Sequence, residues 1–329
     1  MVETVRRHVG SGFLAMIVSC LFFATSGTFA KGLINTGWSP AAVVTIRVAG
    51  AALILLPWTL VLMRGRWSEL RPHLPLVGLY GFFGIAAAQL GYFGAVKSLD
   101  IGVALLLEYL GTVLVVLWVW GRTRRTPHRF TLLGVLLAVA GLVFVLDLTG
   151  AAPPNITGVL WGLFAATGMA GHYILAARET PVPAVAFAGI GLVAGAILLL
   201  LAGAIGLVPF EAGSGPVSLA GHEIPAWVAF AELAIIAAAA AYIIGIIGAR
   251  RLGSQLSSFV GLSEVLFAIL IAWLLLGEVP GAWQAVGSVL ILGGVVAVRL
   301  GEMREVEEHP ELADEDVLAD PAPEAVHAP

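Results

Sequence analysis

Residues 101–121 read IGVALLLEYLGTVLVVLWVWG, and Glu108 is the one charged residue among them. An apolar segment of this length can cross the hydrocarbon core of a bilayer as a helix, which takes about 20 residues. Residues 257–277 read SSFVGLSEVLFAILIAWLLLG and carry Glu264 13 residues before their closing glycine, the same distance as in the first stretch. Two segments of membrane length, each with one acid at a matching place, indicate a membrane protein with a repeated architecture.

The composition of the whole chain also indicates an integral membrane protein. Of its 329 residues, 59% are hydrophobic and 12% are charged, and 40 residues are glycine. An average soluble domain is about 45–50% apolar and about 25% charged, so a soluble fold could not hide this much apolar surface. Soluble enzymes, disulfide-bonded secreted proteins, nucleic-acid-binding proteins and disordered proteins are therefore excluded. The single cysteine, Cys20, cannot form an internal disulfide.

Ten segments are apolar and long enough to be predicted as transmembrane helices. Loops that contain proline or glycine separate them, and β-strands are excluded because the segments lack two-residue alternation. The predicted spans are 12–33, 40–63, 74–96, 101–120, 130–147, 156–177, 183–207, 226–248, 255–276 and 281–299. Residues 1–11 precede the first span. Residues 301–329 hold ten of the 21 acids and are predicted to form a disordered cytoplasmic tail.

Lys and Arg residues are distributed unevenly between the two sides of these spans. With the N-terminus in the cytoplasm, 14 of the 17 basic residues lie on the cytoplasmic side, as the positive-inside rule requires. This distribution predicts a multi-pass protein of the cell inner (plasma) membrane with both termini in the cytoplasm. The longest outside loop, 208–225, contains no Lys or Arg.

The two sets of five spans share sequence features in the same order. Residues 21–25 (LFFAT) match residues 163–167 (LFAAT). A proline followed by two glycines at intervals of seven residues occurs in both halves, at Pro127, Gly134 and Gly141 and at Pro280, Gly287 and Gly294. Because five is an odd number of spans, the second half must be inverted relative to the first.

The predicted fold class is therefore an all-α membrane protein, with ten transmembrane helices as two inverted five-helix repeats around a central cavity. The repeats are predicted at 12–147 and 148–300. Inverted repeats are characteristic of secondary transporters, whose substrate site lies where the repeats meet. The glycines at two-turn spacing predict close packing of spans five and ten, and they leave open a homodimer surface there.

The fourth span of each half resembles the ten-helix EamA type of the drug/metabolite transporter superfamily, in which this helix reads Glu-Pro, an apolar run and Gly-Glu. The second half gives Ser263-Glu264-Val265 and ends in Gly277-Glu278, and the first half gives Leu107-Glu108-Tyr109 and ends in Gly121-Arg122. The departures are Val265 and Tyr109, which stand where proline is common after the two glutamates, and Arg122 in place of the closing glutamate. The resemblance covers residues 10–300 and implies a helical bundle with a central cavity that exports or exchanges small metabolites, often amino acids or related compounds.

Ionisable groups inside the spans are the first candidates for the site, because a charge at the bilayer centre is costly and usually faces a cavity or a partner. Glu108 and Glu264 could each bind a substrate amine or carry a proton, or they could only connect helices. Arg47 could hold a substrate carboxylate or pair with Glu108. His172 could relay protons or be a packing residue, and its neighbour Tyr173 is expected to face another direction.

Polar and aromatic residues complete the predicted substrate site. Gln89 and Tyr92 are three residues apart and therefore share one face of their helix. Trp161 could add a wall to the cavity. For all three residues, helix packing or anchoring at the membrane interface is the alternative.

The predicted function is secondary active transport by alternating access, with export of small metabolites and coupling to protons. The chain has no phosphate-binding loop for ATP, no hydrolase nucleophile motif and no metal-ligand spacing, so no catalytic residue, metal or cofactor is predicted. The expected partners are a small-molecule substrate, protons and the lipid bilayer, without nucleic acid. A membrane-embedded enzyme or receptor without net transport is the alternative. Within the transporter class, a sugar-nucleotide or phosphate-ester exchanger stays open but is disfavoured, because Arg47 is the one deeply placed base.

Overall fold

A computed structural model describes residues 2–123, 129–145, 155–178, 180–261, 263–279 and 281–308. These residues are mostly helical, and most of the helices run through long apolar stretches of the sequence. The α-helices are α1 (Val2–Asn35), α2 (Pro40–Leu62), α3 (Trp67–Leu70), α4 (Leu74–Leu79), α5 (Ala88–Val96), α6 (Ile101–Tyr109), α7 (Gly111–Thr123), α8 (Arg129–Val145), α9 (Ile156–Ala176), α10 (Ala184–Ala204), α11 (Ala226–Ala234), α12 (Ala241–Gly261), α13 (Ser263–Leu276) and α14 (Ala282–Glu308).

Within the described ranges, two stretches are π-helical. π-helices are rare overall, and those that occur are often found at functional sites. One, Tyr80–Ala87, joins α4 to α5, and the other, Ile235–Ala240, joins α11 to α12. Each therefore lies inside an otherwise continuous helical segment. A short 3₁₀ turn, Arg71–His73, connects α3 to α4.

Among the described residues, six helical segments are long and apolar enough to cross a membrane, as expected for a multi-pass membrane protein. They are Ser11–Asn35, Pro40–Leu62, Trp67–Val96, Ile156–Ala176, Ala184–Ala204 and Ala226–Leu252. Four shorter apolar helices are Ile101–Val115, Arg129–Ala138, Ser263–Leu276 and Ala285–Gly294. All ten segments overlap the predicted spans in order, although the shorter four fall below the length of a full crossing. The count of ten spans stays a prediction.

Several helix bounds differ from the predicted ones. α1 already begins at Val2, and α14 continues to Glu308, so the first part of the tail predicted to be disordered is helical. Glu, Met and Arg are good helix formers, which explains this continuation. Residues 309–329 lie outside the described residues. The predicted fourth span is divided at Leu110, where α6 ends and α7 begins.

The long loop 208–225 contains a small β-structure that was not predicted from the sequence. This loop contains two antiparallel strands, β1 (Val217–Leu219) and β2 (His222–Ile224). Ala220 and Gly221 form the turn, with φ values of 51° and 77°. Positive φ at both turn residues matches the twist of the strands and favours a tight hairpin.

The hairpin packs on the helix ends beneath it. Val217 is buried, and a Cβ atom on Gly32 of α1 would lie 2.5 Å from its side chain. The backbone N–H of Ala220 donates a hydrogen bond to the carbonyl of Leu275 in α13, at 2.7 Å. The hairpin therefore covers the ends of α1 and α13, and we call this end of the bundle the hairpin end.

The main helix contacts join the first half of the chain to the second. α1 packs against α12 and α13, and α9 packs against α5 and α6. α2 packs against α10, and α8 packs against α14. The hydrophobic core is therefore shared by both halves. If each helix of the first half is replaced by its counterpart in the second half, and the reverse, the same set of helix contacts results.

The predicted close packing of the fifth and tenth spans is confirmed. A Cβ atom on Gly141 of α8 would lie 2.7 Å from the carbonyl oxygen of Gly287, and one on Gly294 of α14 would lie 2.6 Å from that of Gly134. Only glycine allows two helix backbones to approach this closely. α8 and α14 consequently form a tight helix pair.

Candidate functional site

A cavity lies between the two halves, and it contains about 510 Å³ of space outside the protein atoms, its opening included. Helices α1, α5, α6, α9, α12 and α13 and the first π-helical segment contribute its lining. On α1 the lining extends from Met16 to Ser26, so the cavity is about 15 Å long along that helix. The lining residues are Met16, Phe23, Ser26, Gly84, Ala88, Gln89, Tyr92, Glu108, Met169, His172, Tyr173, Tyr242 and Glu264.

Glu108 is the more deeply buried of the two predicted glutamates, with 5% of its surface exposed. It lies one residue before the end of α6 and faces the cavity. Within the described part of the chain, no group donates a hydrogen bond to its carboxylate. A buried carboxylate whose remaining free space is a cavity is available to bind a cation or a proton there.

Glu264 also lines the cavity, but its carboxylate already accepts a hydrogen bond from the protein. It stands in the first turn of α13, and its Oε2 accepts a hydrogen bond from the hydroxyl of Tyr109 at 3.1 Å. The same hydroxyl approaches the carbonyl oxygen of Gly261, at the end of α12, to 2.5 Å. Tyr109 therefore connects the end of α6 to the junction between α12 and α13.

Arg47 is fully buried on α2 and does not line the cavity. The predicted ion pair with Glu108 is not formed. The guanidinium instead donates to Oε1 of Gln89 and to the carbonyl oxygen of Ala237, inside the second π-helical segment. Its carbon also lies 5.4 Å from the ring centre of Phe93. Neutral oxygens on neighbouring helices thus accept hydrogen bonds from both terminal nitrogens, whereas the buried Nε has no partner among the described residues.

His172 faces the cavity within a group of aromatic rings. The Tyr80 hydroxyl lies 3.3 Å from its Nδ1, and the rings of Phe23 and Tyr242 pack against it. The expectation that Tyr173 faces another direction is wrong, because both residues line the cavity. Consecutive helical residues are only about 100° apart, so a wide cavity can contact both side chains.

Gln89 and Tyr92 both line the cavity from α5, as their shared helical face predicts. Trp161 does not line the cavity, so the wall predicted for it is not formed. Its ring packs on α5, where a Cβ atom on Gly94 would lie 2.6 Å from the indole. The absence of a side chain on Gly94 makes room for the indole, and Phe164 packs against its edge.

Sequence reasoning missed several lining residues that carry no charge. Tyr242 enters from α12, and its hydroxyl lies 3.4 Å from the carbonyl oxygen of Gly84. Phe23 and Ser26 enter from α1, and Met169 enters from α9. Tyr242 gave the one usable signal, since a tyrosine deep in an apolar helix needs a partner for its hydroxyl.

A polar cluster closes the hairpin end. Lys31 of α1 forms an ion pair with Glu278, which follows α13, and also donates to the carbonyl of Leu99 at 3.1 Å. Glu278 in turn accepts a hydrogen bond from the backbone N–H of Ile101, the first residue of α6, at 3.0 Å. A carboxylate at this place satisfies an unpaired N–H of the helix start. The cluster connects the helices that carry the two glutamates of the cavity.

The described residues contain no group of three or more His, Cys, Asp and Glu side chains that could hold a metal ion. Cys20 is buried, with 1% of its surface exposed, and its sulfur lies 3.8 Å from the carbonyl oxygen of Val260. It packs beside the junction of α12 and α13.

Comparison with known proteins agrees with this architecture. A protein of Archaeoglobus fulgidus described as an uncharacterized transporter is 25% identical over 293 residues, which are 88% of this chain and 97% of that protein. A solved crystal structure covers 90% of this chain and 99% of its own, with a TM-score of 0.62 and 23% identity, and it shows a common fold. The sequence profile of the EamA-like transporter family matches residues 10–147 and 156–300. The chain therefore belongs to the EamA-like transporter family.

Proposed function

We propose that this transporter is a secondary active exporter of small metabolites, such as amino acids or related compounds, which works by alternating access and is driven by protons. The observation that carries this proposal is Glu108, a buried carboxylate without a hydrogen-bond partner in the described chain, which faces a cavity between the two halves. A carboxylate in this position can bind a proton or a substrate amine. Since both compete for one group, binding of one favours release of the other, which couples the two flows.

The pattern of helix contacts supports an inverted repeat of two five-helix units, 12–147 and 148–300. Exchanging the halves converts the contact of α1 with α12 into that of α9 with α5, and the contact of α1 with α13 into that of α9 with α6. The pairs α2 with α10 and α8 with α14 exchange with themselves. A two-fold relation between the halves produces this pattern, and it allows one site to face each side of the membrane in turn.

The hairpin end supports alternating access because it is closed by specific contacts. The ion pair of Lys31 with Glu278 and the hydrogen bond of Ala220 to Leu275 hold α1, α6 and α13 together there. Such contacts must break before the cavity can open at that end. The excess of Lys and Arg at the other end supports an orientation with the hairpin outside and both termini in the cytoplasm.

The alternative of a phosphate-ester or sugar-nucleotide exchanger finds no support in the cavity. Binding a phosphate takes Arg or Lys side chains, and none of the described lining residues is basic. The alternative of a membrane-embedded enzyme or receptor predicts binding without solute flux, so flux measurements separate it from a transporter.

The test is to reconstitute the full chain in liposomes and to follow labelled amino acids and amines with and without a pH gradient. We expect flux that needs the protein and rises with the gradient, with solute moving against the proton flow. Flux that is unaffected by the gradient would contradict proton coupling. Binding of a compound without any flux would contradict transport and favour the receptor alternative.

A further inference from the structure

The charged side chains that line the cavity are of one sign. Glu108 and Glu264 contribute two carboxylates, whereas none of the described lining residues is Lys or Arg. Arg47 is fully buried behind Gln89, and both of its terminal nitrogens already donate to protein oxygens. A ligand in the cavity therefore meets carboxylates directly and does not meet the guanidinium.

Aromatic rings form a large part of the remaining wall. Phe23 and Tyr242 meet edge to face, with ring centres 5.0 Å apart, and His172 lies 5.8 Å from Tyr242 and 5.4 Å from Tyr173. Tyr92 adds a further ring from α5. The faces of the phenylalanine and tyrosine rings attract cations, most strongly where water is excluded. The rings and the carboxylates thus favour the same ligand charge.

A zwitterionic amino acid is poorly matched to this arrangement. Its ammonium group can pair with Glu108. Its carboxylate, however, has no basic partner among the described lining residues and lies in a cavity lined by two other carboxylates. A charge that leaves water without a partner costs binding free energy. An amine without a carboxylate keeps the favourable contact and avoids this cost.

We infer that the cavity selects a monovalent organic amine, whose ammonium group is bound by Glu108 and whose apolar body packs against the rings of Phe23, Tyr92, His172, Tyr173 and Tyr242. Amino acids, organic anions and neutral analogues of the same size bind more weakly. This inference rests on the proposed function, because it names the substrate class of the same site.

The test uses four compounds that share one phenyl ring and differ in charge. Near neutral pH phenethylamine is a cation, phenylalanine a zwitterion, 3-phenylpropionate an anion and 2-phenylethanol neutral. Isothermal titration of the full chain in detergent should show that phenethylamine binds at least about tenfold more tightly than the other three, as expected for an ion pair together with cation–π contacts. Equal or tighter binding of any other member, or no binding of all four, would overturn the inference.

Two variants locate the ammonium group. Glu108→Gln should reduce the preference for phenethylamine over 2-phenylethanol by about tenfold. Glu223→Gln removes the same charge from an exposed residue of the hairpin and should keep the preference. An unchanged preference in Glu108→Gln, with a normal elution profile from size exclusion, would overturn the assignment to Glu108. If that variant does not fold, the four-compound series on the unmodified chain decides the substrate class.

Flux measurements on the same compounds separate this inference from the proposed function. Gradient-driven flux of phenylalanine in preference to phenethylamine would overturn the amine class and leave the transporter standing. Tight binding of phenethylamine without flux would support the amine class and contradict the proposed transport.

Discussion

Glu108 and Glu264 occupy matching places in the two halves of the chain, yet their surroundings differ. Glu264 accepts a hydrogen bond from Tyr109, whose hydroxyl also contacts the carbonyl of Gly261. Glu108 is more deeply buried, and in the described residues its carboxylate has no hydrogen-bond donor. Both side chains reach the same cavity.

This difference indicates a division of roles between two residues that the sequence presents as equivalents. A carboxylate held by a hydrogen bond has a fixed position and part of its binding capacity is already used. A buried carboxylate without such a partner keeps its full binding capacity, so a ligand or a proton gains most by binding to it. We therefore expect Glu108 to bind the exchanged species and Glu264 to shape the site.

The largest effect is expected for Glu108→Gln, which changes the glutamate whose carboxylate has no hydrogen-bond donor among the described residues. This change keeps the shape of the side chain but removes the charge, so gradient-driven flux should be abolished while the protein still inserts and folds. Flux in liposomes is the measurement, with size exclusion as the check on folding and Glu223→Gln as the matched control. Unchanged flux in Glu108→Gln would show that its charge is dispensable.

A smaller effect is expected for Glu264→Gln, the corresponding change at the glutamate that accepts a hydrogen bond from Tyr109. The amide oxygen can still accept the hydrogen bond of Tyr109, so the local structure stays and only the charge is lost. Flux should fall by about fivefold to tenfold, the equivalent of about 1–1.4 kcal/mol. A loss as complete as that in Glu108→Gln would erase the distinction between the two residues.

The smallest effect is expected for Tyr109→Phe, which removes the hydroxyl that distinguishes the two environments. Glu264 and the carbonyl of Gly261 then lose a donor, which should destabilise the protein by about 1–2 kcal/mol and change flux by less than about fivefold. A lower melting temperature in detergent measures the first effect. A melting temperature equal to that of the unmodified protein would mean that the hydrogen bond does not hold Glu264.

The membrane helices were predictable because apolar runs of about 20 residues are typical of segments that cross a bilayer. The glycine contacts of α8 with α14 were also predictable, since glycines at two-turn spacing mark one helix face. The division at Leu110 was not predicted, although Gly111 follows it directly, because a single glycine inside an apolar helix does not by itself show a break. The hairpin was hidden by three-residue strands and by a turn, Ala220-Gly221, that lacks the usual asparagine or aspartate.

The candidate site was predictable at its ionisable residues, because burying such a group in a membrane helix costs much free energy. Glu108, Glu264 and His172 are conspicuous in an apolar helix, and all of them line the cavity. The backbone partner of Arg47, the carbonyl of Ala237, was not predictable, because a backbone carbonyl in a π-helical segment has no signature in the sequence. Tyr242 was missed for a related reason, since an uncharged side chain does not reveal which helix face meets the cavity.

The buried position of Cys20 has a practical consequence. It is the only thiol in the chain, and almost none of its surface is exposed. A membrane-impermeant maleimide therefore has no natural target on the folded protein. A cysteine placed at an exposed residue of the hairpin, such as Glu223→Cys, would be the one accessible labelling site on the folded protein. Labelling of intact cells with the maleimide then identifies the side of the membrane on which the hairpin lies.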